Sequence, residues 1–377
     1  MPPRSASDCI TPAFEHTKQQ LFQPFRFAQW WRLAFVGLFA GEMSSGGCNG
    51  NFNVPSIPSN HDHGSQQTFL AAALPPELTA HPFLFAAIIA GLVVLFLAIA
   101  VVFMYVSSVL RFVLFDSVIA RECHIREGWR RRKAIGLHFF WWQLALSAIA
   151  SAVLIILMGI PALVTWRLGW FDAPREHIFG WVVGGLTLLL LVLVYLAVLG
   201  FVRVMTKDFV IPQMACEGIG AVEGWRRLLA RMKAEKAGYA GYVGLKVLLD
   251  IAAVLLFAMI TLIVLLLVLI PVIVLVFAAA TNTHAAGLTW NPGTITLAVL
   301  AGVIAFAFIV SLVALIYVPA VVFFPTYAIY FFAPRYPPLA DLLWPRPPAP
   351  PAPPLAELPS SPPLPPVLPP DPTPLPS

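Results

Sequence analysis

Three groups of residues in this chain of 377 have types and spacings that could do chemistry. The first is a basic block used twice: Glu127-Gly128-Trp129-Arg130-Arg131 returns 96 residues later as Glu223-Gly224-Trp225-Arg226-Arg227. Paired guanidinium groups match the oxygens of a phosphate, and an indole beside them suits the boundary between water and lipid. Trp129, Arg130, Arg131, Trp225, Arg226 and Arg227 are therefore candidates for holding anionic phospholipid headgroups. The same block also reads as a membrane anchor that sets topology. The second group is Lys246 and Asp250, one helical turn apart at the start of an apolar run. It is either a local ion pair or a solute-coupling site, because ionisable groups are expensive in a membrane. The third is His61-Asp62-His63, with Cys48 as a conceivable third ligand for a transition metal. His-x-His alone is a common pattern, and its Gly/Ser/Asn-rich surroundings read as a plain loop, so no metal site is expected.

Other chemistries lack their residues. No Ser-His-Asp set, HExxH helix or carboxylate pair is recognisable, and no Gly-rich turn ends in the Lys-Ser/Thr of a phosphate loop. The expectation is a non-enzyme without a cofactor. Cys9, Cys48, Cys123 and Cys216 are far apart with no CxxC pair, which predicts unpaired thiols.

The elements that must position these residues are set by lipid. Apolar side chains make up 59% of the chain and charged ones 11%, and mean hydropathy is +0.83. Runs at 83–110, 137–166, 178–202, 247–279 and 295–318 each exceed the roughly 20 residues needed to cross a hydrocarbon core. Without water every backbone N–H and C=O must be paired inside the segment, so these runs predict helices. The run at 247–279 is about 50 Å long as a helix, so it must tilt, protrude or kink, and Pro271 is the natural kink. A weaker run at 27–41 is too short by length alone. The fold class is thus an all-α polytopic membrane bundle of six, alternatively five, transmembrane helices.

Charge distribution argues for six. No Lys or Arg occurs from 33 to 110, whereas the first 32 residues hold Arg4, Lys18, Arg26 and Arg32. By the positive-inside rule the N-terminus is cytoplasmic and 42–81 external, which requires a crossing at 27–41. The basic segments 111–136 and 203–246 also belong inside. Residues 1–26 are then a cytoplasmic segment without a standard secretory signal, and 27–332 are the membrane domain. Residues 333–377 form a disordered Pro-rich cytoplasmic tail, with 20 prolines from 334 onward, suited to docking a cytoplasmic protein or to remaining solvated. The net charge of +5 sits beside apolar runs, which favours lipid headgroups and gives no nucleic-acid role.

The recurrent block marks an internal duplication. Each copy follows one apolar span and precedes another, and the following spans reach Ile160-Pro161 and Ile270-Pro271 at similar distances. Trp30-Trp31-Arg32 ahead of the first short run suggests a third, degenerate copy. In the second block Val222, Trp225, Leu229 and Met232 form an apolar stripe, the pattern of a helix lying in the headgroup layer. Glu127 and Glu223 each precede an Arg by four residues, which predicts ion pairs to Arg131 and Arg227.

Trp30 to Leu33, the two Glu-Gly-Trp-Arg-Arg blocks and the closing Phe324-Pro325-Thr326-Tyr327 resemble a family of bacterial multi-spanning proteins. That family is related to the membrane domain of glycerophosphoryl diester phosphodiesterases, and the resemblance covers about residues 20–335. The catalytic barrel is absent, so no hydrolase activity carries over. The resemblance implies a bacterial inner-membrane location and contact with phospholipid-derived molecules. Two functions follow as expectations: a non-enzymatic scaffold or accessory factor contacting phospholipid headgroups, or a permease or lipid transporter of repeated units.

Overall fold

The structure is a computed structural model that describes residues 5–42, 82–171, 175–285 and 292–345. Among these there is no β-strand, and the helices are α1 (Ile10–Phe22), α2 (Phe27–Ala40), α3 (Pro82–Ala120), α4 (Ile125–Arg167) and α5 (Ile178–Met205). A π-helical turn (Thr206–Val210) leads to α6 (Ile211–Glu217), α7 (Ala221–Ala234), α8 (Lys236–Ala285), α9 (Pro292–Phe332) and α10 (Pro337–Leu343). Five of them, α3, α4, α5 with its continuation, α8 and α9, are long and apolar enough to cross a membrane. The chain is an all-α, multi-pass membrane bundle.

The weak sixth run forms a helix where it was expected, but α2 has 14 residues, about 21 Å, and cannot cross alone. It runs antiparallel to the last turns of α3: Gln29 donates to the Arg121 carbonyl at 2.8 Å, and Arg111 Nε donates to the Ala40 carbonyl at 2.9 Å. From Arg111, α3 continues back to Pro82 at the opposite end of the bundle. Both α1 and the residues around α10 pack near Tyr330, at one and the same end. α1 and α10 thus lie at one end of the bundle, the end where α2 packs on α3; the chain between Glu42 and Pro82 lies outside the described residues.

The packed core lies at the basic end. Buried side chains come from α1, α2, the last turns of α3, the start of α4, residues 205–215, α7, the start of α8 and the end of α9. The arms that leave this hub are bare, and every described side chain on α3 from 86 to 103 is exposed. This is what lipid allows, since acyl chains solvate Leu and Val as well as another helix does.

Each returning arm ends against the start of the next unit, at a glycine. A Cβ on Gly136 would stand 2.7 Å from Val109 Cγ2 and 3.0 Å from its Cα, which joins α4 to α3. Gly224 on α7 meets Val210 at 2.8 Å, and Gly37 on α2 meets Val321 on α9 at 2.7 Å. The third joint closes the ring from the last unit to the first, which gives the degenerate N-terminal copy a structural place.

The two basic blocks differ in form. Residues 125–133 are the foot of α4, continuous with the arm above, because nothing from Ala134 to Gly136 breaks the helix. The second block is a separate helix, α7, which ends where Glu235 leaves helical geometry at φ −133°, ψ 60°. The folded chain also extends beyond the expected start of the tail at 333. Arg335 binds the Glu235 carboxylate through two nitrogens at 2.8 and 2.6 Å and lies 4.0 Å over the Phe331 ring, and Tyr336 and Leu339 are buried. Arg335 holds the Glu235 carboxyl below its usual pKa. The described residues end at Pro345, and 346–377 lie outside them.

α1 is pinned by polar contacts. Gln20 donates to the Ser117 carbonyl at 2.9 Å and His16 Nε2 donates to the Val118 carbonyl at 3.0 Å, with Tyr330 Oη 3.4 Å from Nδ1. Burial pushes the His16 pKa below its usual value, and the Arg121 charge adds to this.

Two predictions follow from this packing. Gly136→Ala overpacks the joint with Val109 and lowers stability by about 1–3 kcal/mol, read as a lower thermal midpoint in detergent. Gly159→Ala, where the same helix has open space, serves as the control and causes no loss. Because His16 has a depressed folded pKa, the folded chain binds fewer protons than the unfolded one as pH falls below 6.5. α1 docking is therefore complete above that pH and is lost as pH falls through the folded value. Amide protection factors of residues 10–22, corrected for the intrinsic pH dependence of exchange, should fall on acidification, and His16→Gln should flatten that dependence.

Candidate functional site

The hub contains a buried cluster of charges built around the π-turn. Pro212 has no N–H, and in a regular helix its ring would press on the carbonyl of residue 208, four positions earlier. The backbone widens instead, and Ile211 N–H bonds the Thr206 carbonyl, five residues back. Such single π-turns are frequent at functional sites. This one carries Lys207 and Asp208, and Trp225 Nε1 donates to Thr206 Oγ1 at 3.1 Å to hold α7 against it.

Asp208 points into the protein. Its Oδ2 accepts from Tyr242 Oη at 2.9 Å and from the Lys246 ammonium, and the Asp208 and Lys246 side chains are each 2% exposed. Tyr242 stacks on Tyr327 with ring centroids 5.2 Å apart, so α8 and α9 are braced behind the carboxylate. Lys207 forms an ion pair with Glu42, the residue after the left-handed Gly41 that ends α2. Arg111 completes the cluster from α3, hydrogen-bonded to Ala40 and 5.8 Å from the Phe139 ring centroid. Three units thus meet through charge: Glu42 and Arg111 from the first, Lys207 and Asp208 from the second, Lys246 from the third.

The expected Lys246–Asp250 pair is replaced by a different partner. Lys246 bonds Asp208, 38 positions away, and Asp250 Oδ1 is buried with no hydrogen-bond partner among the described residues. Sequence reasoning missed Glu42, Arg111, Lys207, Asp208 and Tyr242 as a group. The signal available was a charge at the edge of each apolar run and a proline four residues after Asp208.

The headgroup candidates are placed unequally. Trp129 is half-buried, edge-on to Tyr105 with centroids 6.1 Å apart, while Arg130 and Arg131 are exposed and make no ion pair among the described residues. The expected Glu127–Arg131 contact is not formed. Glu223–Arg227 is formed, at 2.9 Å, and Arg227 also reaches Glu217 while Arg226 pairs with Glu223 at 2.5 Å. Those two Arg side chains hold the Glu223 carboxyl below its usual pKa. Trp225 belongs to the hub through Thr206. Arg132, outside both expected pairs, binds Asp116 through two nitrogens at 2.7 Å.

Cys9, Cys123 and Cys216 form no disulfide among the described residues. Cys48 and His61-Asp62-His63 lie outside the described residues.

Removing one member of a buried ion pair leaves an uncompensated charge, so Lys246→Met should cost about 3–5 kcal/mol. Combining it with Asp208→Asn removes the orphaned carboxylate and should recover most of the loss. Thermal unfolding of the two single variants and the double variant in detergent gives the coupling.

A family model described as a family of unknown function (DUF7544) matches residues 4–342, and the chain belongs to that family. No curated protein and no solved structure matches it.

Proposed function

We propose that this family member is a non-enzymatic protein of the bacterial inner membrane that gathers anionic phospholipid headgroups at its basic end and serves as a scaffold or accessory factor. In this reading the hub and both termini are cytoplasmic. The observation that carries it is the foot of α4. Arg130 and Arg131, with Arg126 and Lys133, are exposed on the same few turns, and Trp129 fixes those turns against the core. Each basic side chain near an anionic surface contributes about 1 kcal/mol of attraction, so four of them form a useful belt. Arg226 and Arg227 contribute less, since Glu223 and Glu217 already neutralise them.

The resemblance to the membrane domain of glycerophosphoryl diester phosphodiesterases supports a role facing phospholipid. The proline-rich composition of residues 346–377 is of the kind that cytoplasmic proteins recognise, which supports a protein partner there. A second reading, a permease or transporter of amphiphiles, is favoured by one observation, the buried unpartnered oxygen of Asp250 within a ring of repeated units. Loss of amphiphile transport in proteoliposomes on Asp250→Asn would select it.

The scaffold reading is tested with protein in nanodiscs of phosphatidylglycerol and phosphatidylcholine. Arg130→Ala with Arg131→Ala should lower the preference for phosphatidylglycerol by about tenfold, and Arg226→Ala with Arg227→Ala should change it much less. An unchanged preference in the first variant would sink the headgroup assignment.

A further inference from the structure

The foot of α4 offers shape as well as charge. Arg130, Arg131 and Lys133 are exposed and make no ion pair among the described residues, while Arg132 between them turns inward to Asp116. Ala134 follows, also exposed, and its small side chain leaves a gap one turn from Arg130. Arg130, Ala134, Leu137 and Trp141 are spaced i, i+4, i+7 and i+11, so they form one stripe, with Arg131 and His138 beside it. His138 Nδ1 donates to the Ala134 carbonyl at 2.9 Å, which holds the imidazole at the edge of the gap. Glu127, the one acid of α4, lies two turns farther toward the basic end.

Continuity of the helix decides what fits there. α4 runs without interruption from these cations into an arm whose side chains are mostly exposed, and Trp141, at the junction, is 62% exposed. Ala134 and Trp141 are seven residues apart, about 10 Å along the axis, close to the roughly 5–8 Å of one headgroup layer. A phosphate over Ala134 therefore has three cations within reach and its acyl chains beside the indole, all on one helix face. Free inorganic phosphate would leave the Leu137 and Trp141 half of the stripe unused. The second block has no such face. Ala230 takes the place of Ala134, but Lys233, Ala234 and Ala237 take those of Leu137, His138 and Trp141, and α7 ends at Ala234.

We propose that Ala134 is the floor of a seat for one phospholipid per chain, with the phosphate held by Arg130, Arg131 and Lys133 and the tails lying along Leu137 and Trp141. This rests on the headgroup reading above and sharpens it: the belt attracts many anionic lipids weakly, whereas the seat retains one. The seat depends on the size of the side chain at 134 and the belt only on charge, so the two can fail separately.

The test uses the purified full chain with two readouts. Phosphatidylglycerol retained in detergent is counted by native mass spectrometry and its affinity measured by equilibrium titration, and its enrichment around the protein is measured in nanodiscs. One retained lipid per chain is expected, and inorganic phosphate should not displace it. Ala134→Leu keeps every charge, suits an exposed helix position and fills the gap. It should weaken retention roughly tenfold or more and leave the nanodisc enrichment unchanged. Ala145→Leu, exposed one turn beyond Trp141, is the control and should retain the lipid as the unaltered chain does. Arg130→Ala with Arg131→Ala should lower both readouts. Full retention by Ala134→Leu, displacement by inorganic phosphate, or no retained lipid on the unaltered chain would each overturn the seat and leave the belt standing. Unchanged enrichment in the double arginine variant would instead overturn the headgroup reading itself. If Ala134→Leu does not fold, the lipid count and the phosphate competition on the unaltered protein still decide.

Discussion

Asp208 sits on a π-turn inside the hub, with the Lys246 ammonium and the Tyr242 hydroxyl on one carboxylate oxygen. A charge in that position must be satisfied, and the groups that satisfy it come from the helix of the next unit. Leaving it bare would cost several kcal/mol, more than most single contacts in a protein supply. The neighbouring Lys207 makes the same demand of Glu42, which belongs to the first unit. Two adjacent residues on one turn therefore tie the second unit to both others. The irregularity at Pro212 is what lets consecutive side chains serve opposite sides.

Such ties matter because the arms cannot hold the protein together. In a bilayer an exposed Leu gains nothing by meeting another Leu, since lipid tails are equally apolar. Association has to come from close packing and from polar contacts. The structure puts both at one end: glycines that let Val109, Val210 and Val321 approach a neighbouring helix, and the charged hub beside them. The exposed arms and the crowded hub are two sides of one constraint.

The sequence shows what depends on local composition. Long apolar runs, their helical form and the basic end are legible because length, solvent and charge sign act residue by residue. The repeat is legible because it is written twice. The hub is not, because its partners are brought together only by ring closure. Lys246 looks paired with Asp250 at helical spacing, yet Asp208 reaches it from the π-turn and Asp250 is left without a partner for Oδ1. Glu42 reads as the start of a polar loop until Gly41 turns it inward. The two basic blocks look alike in sequence and differ in form, because what ends α7 is the residue after it, Glu235, and the Arg335 that clamps it from 100 positions away.

The divergence of those blocks has a cause that can be traced to single positions. α6 ends on Glu217 and turns through Gly218 at φ +69°, while α3 ends on Ala120 and turns through Arg121 at φ +59°. The same left-handed turn thus precedes both blocks, but the acid that receives Arg227 in the second is an alanine in the first. Arg121 adds positive charge there instead. With no carboxylate from the preceding helix, Arg131 lacks the second partner that Arg227 has, and it makes no ion pair among the described residues. The first block is consequently the cationic surface of the pair and the second an internal brace, although the five residues that define them are the same.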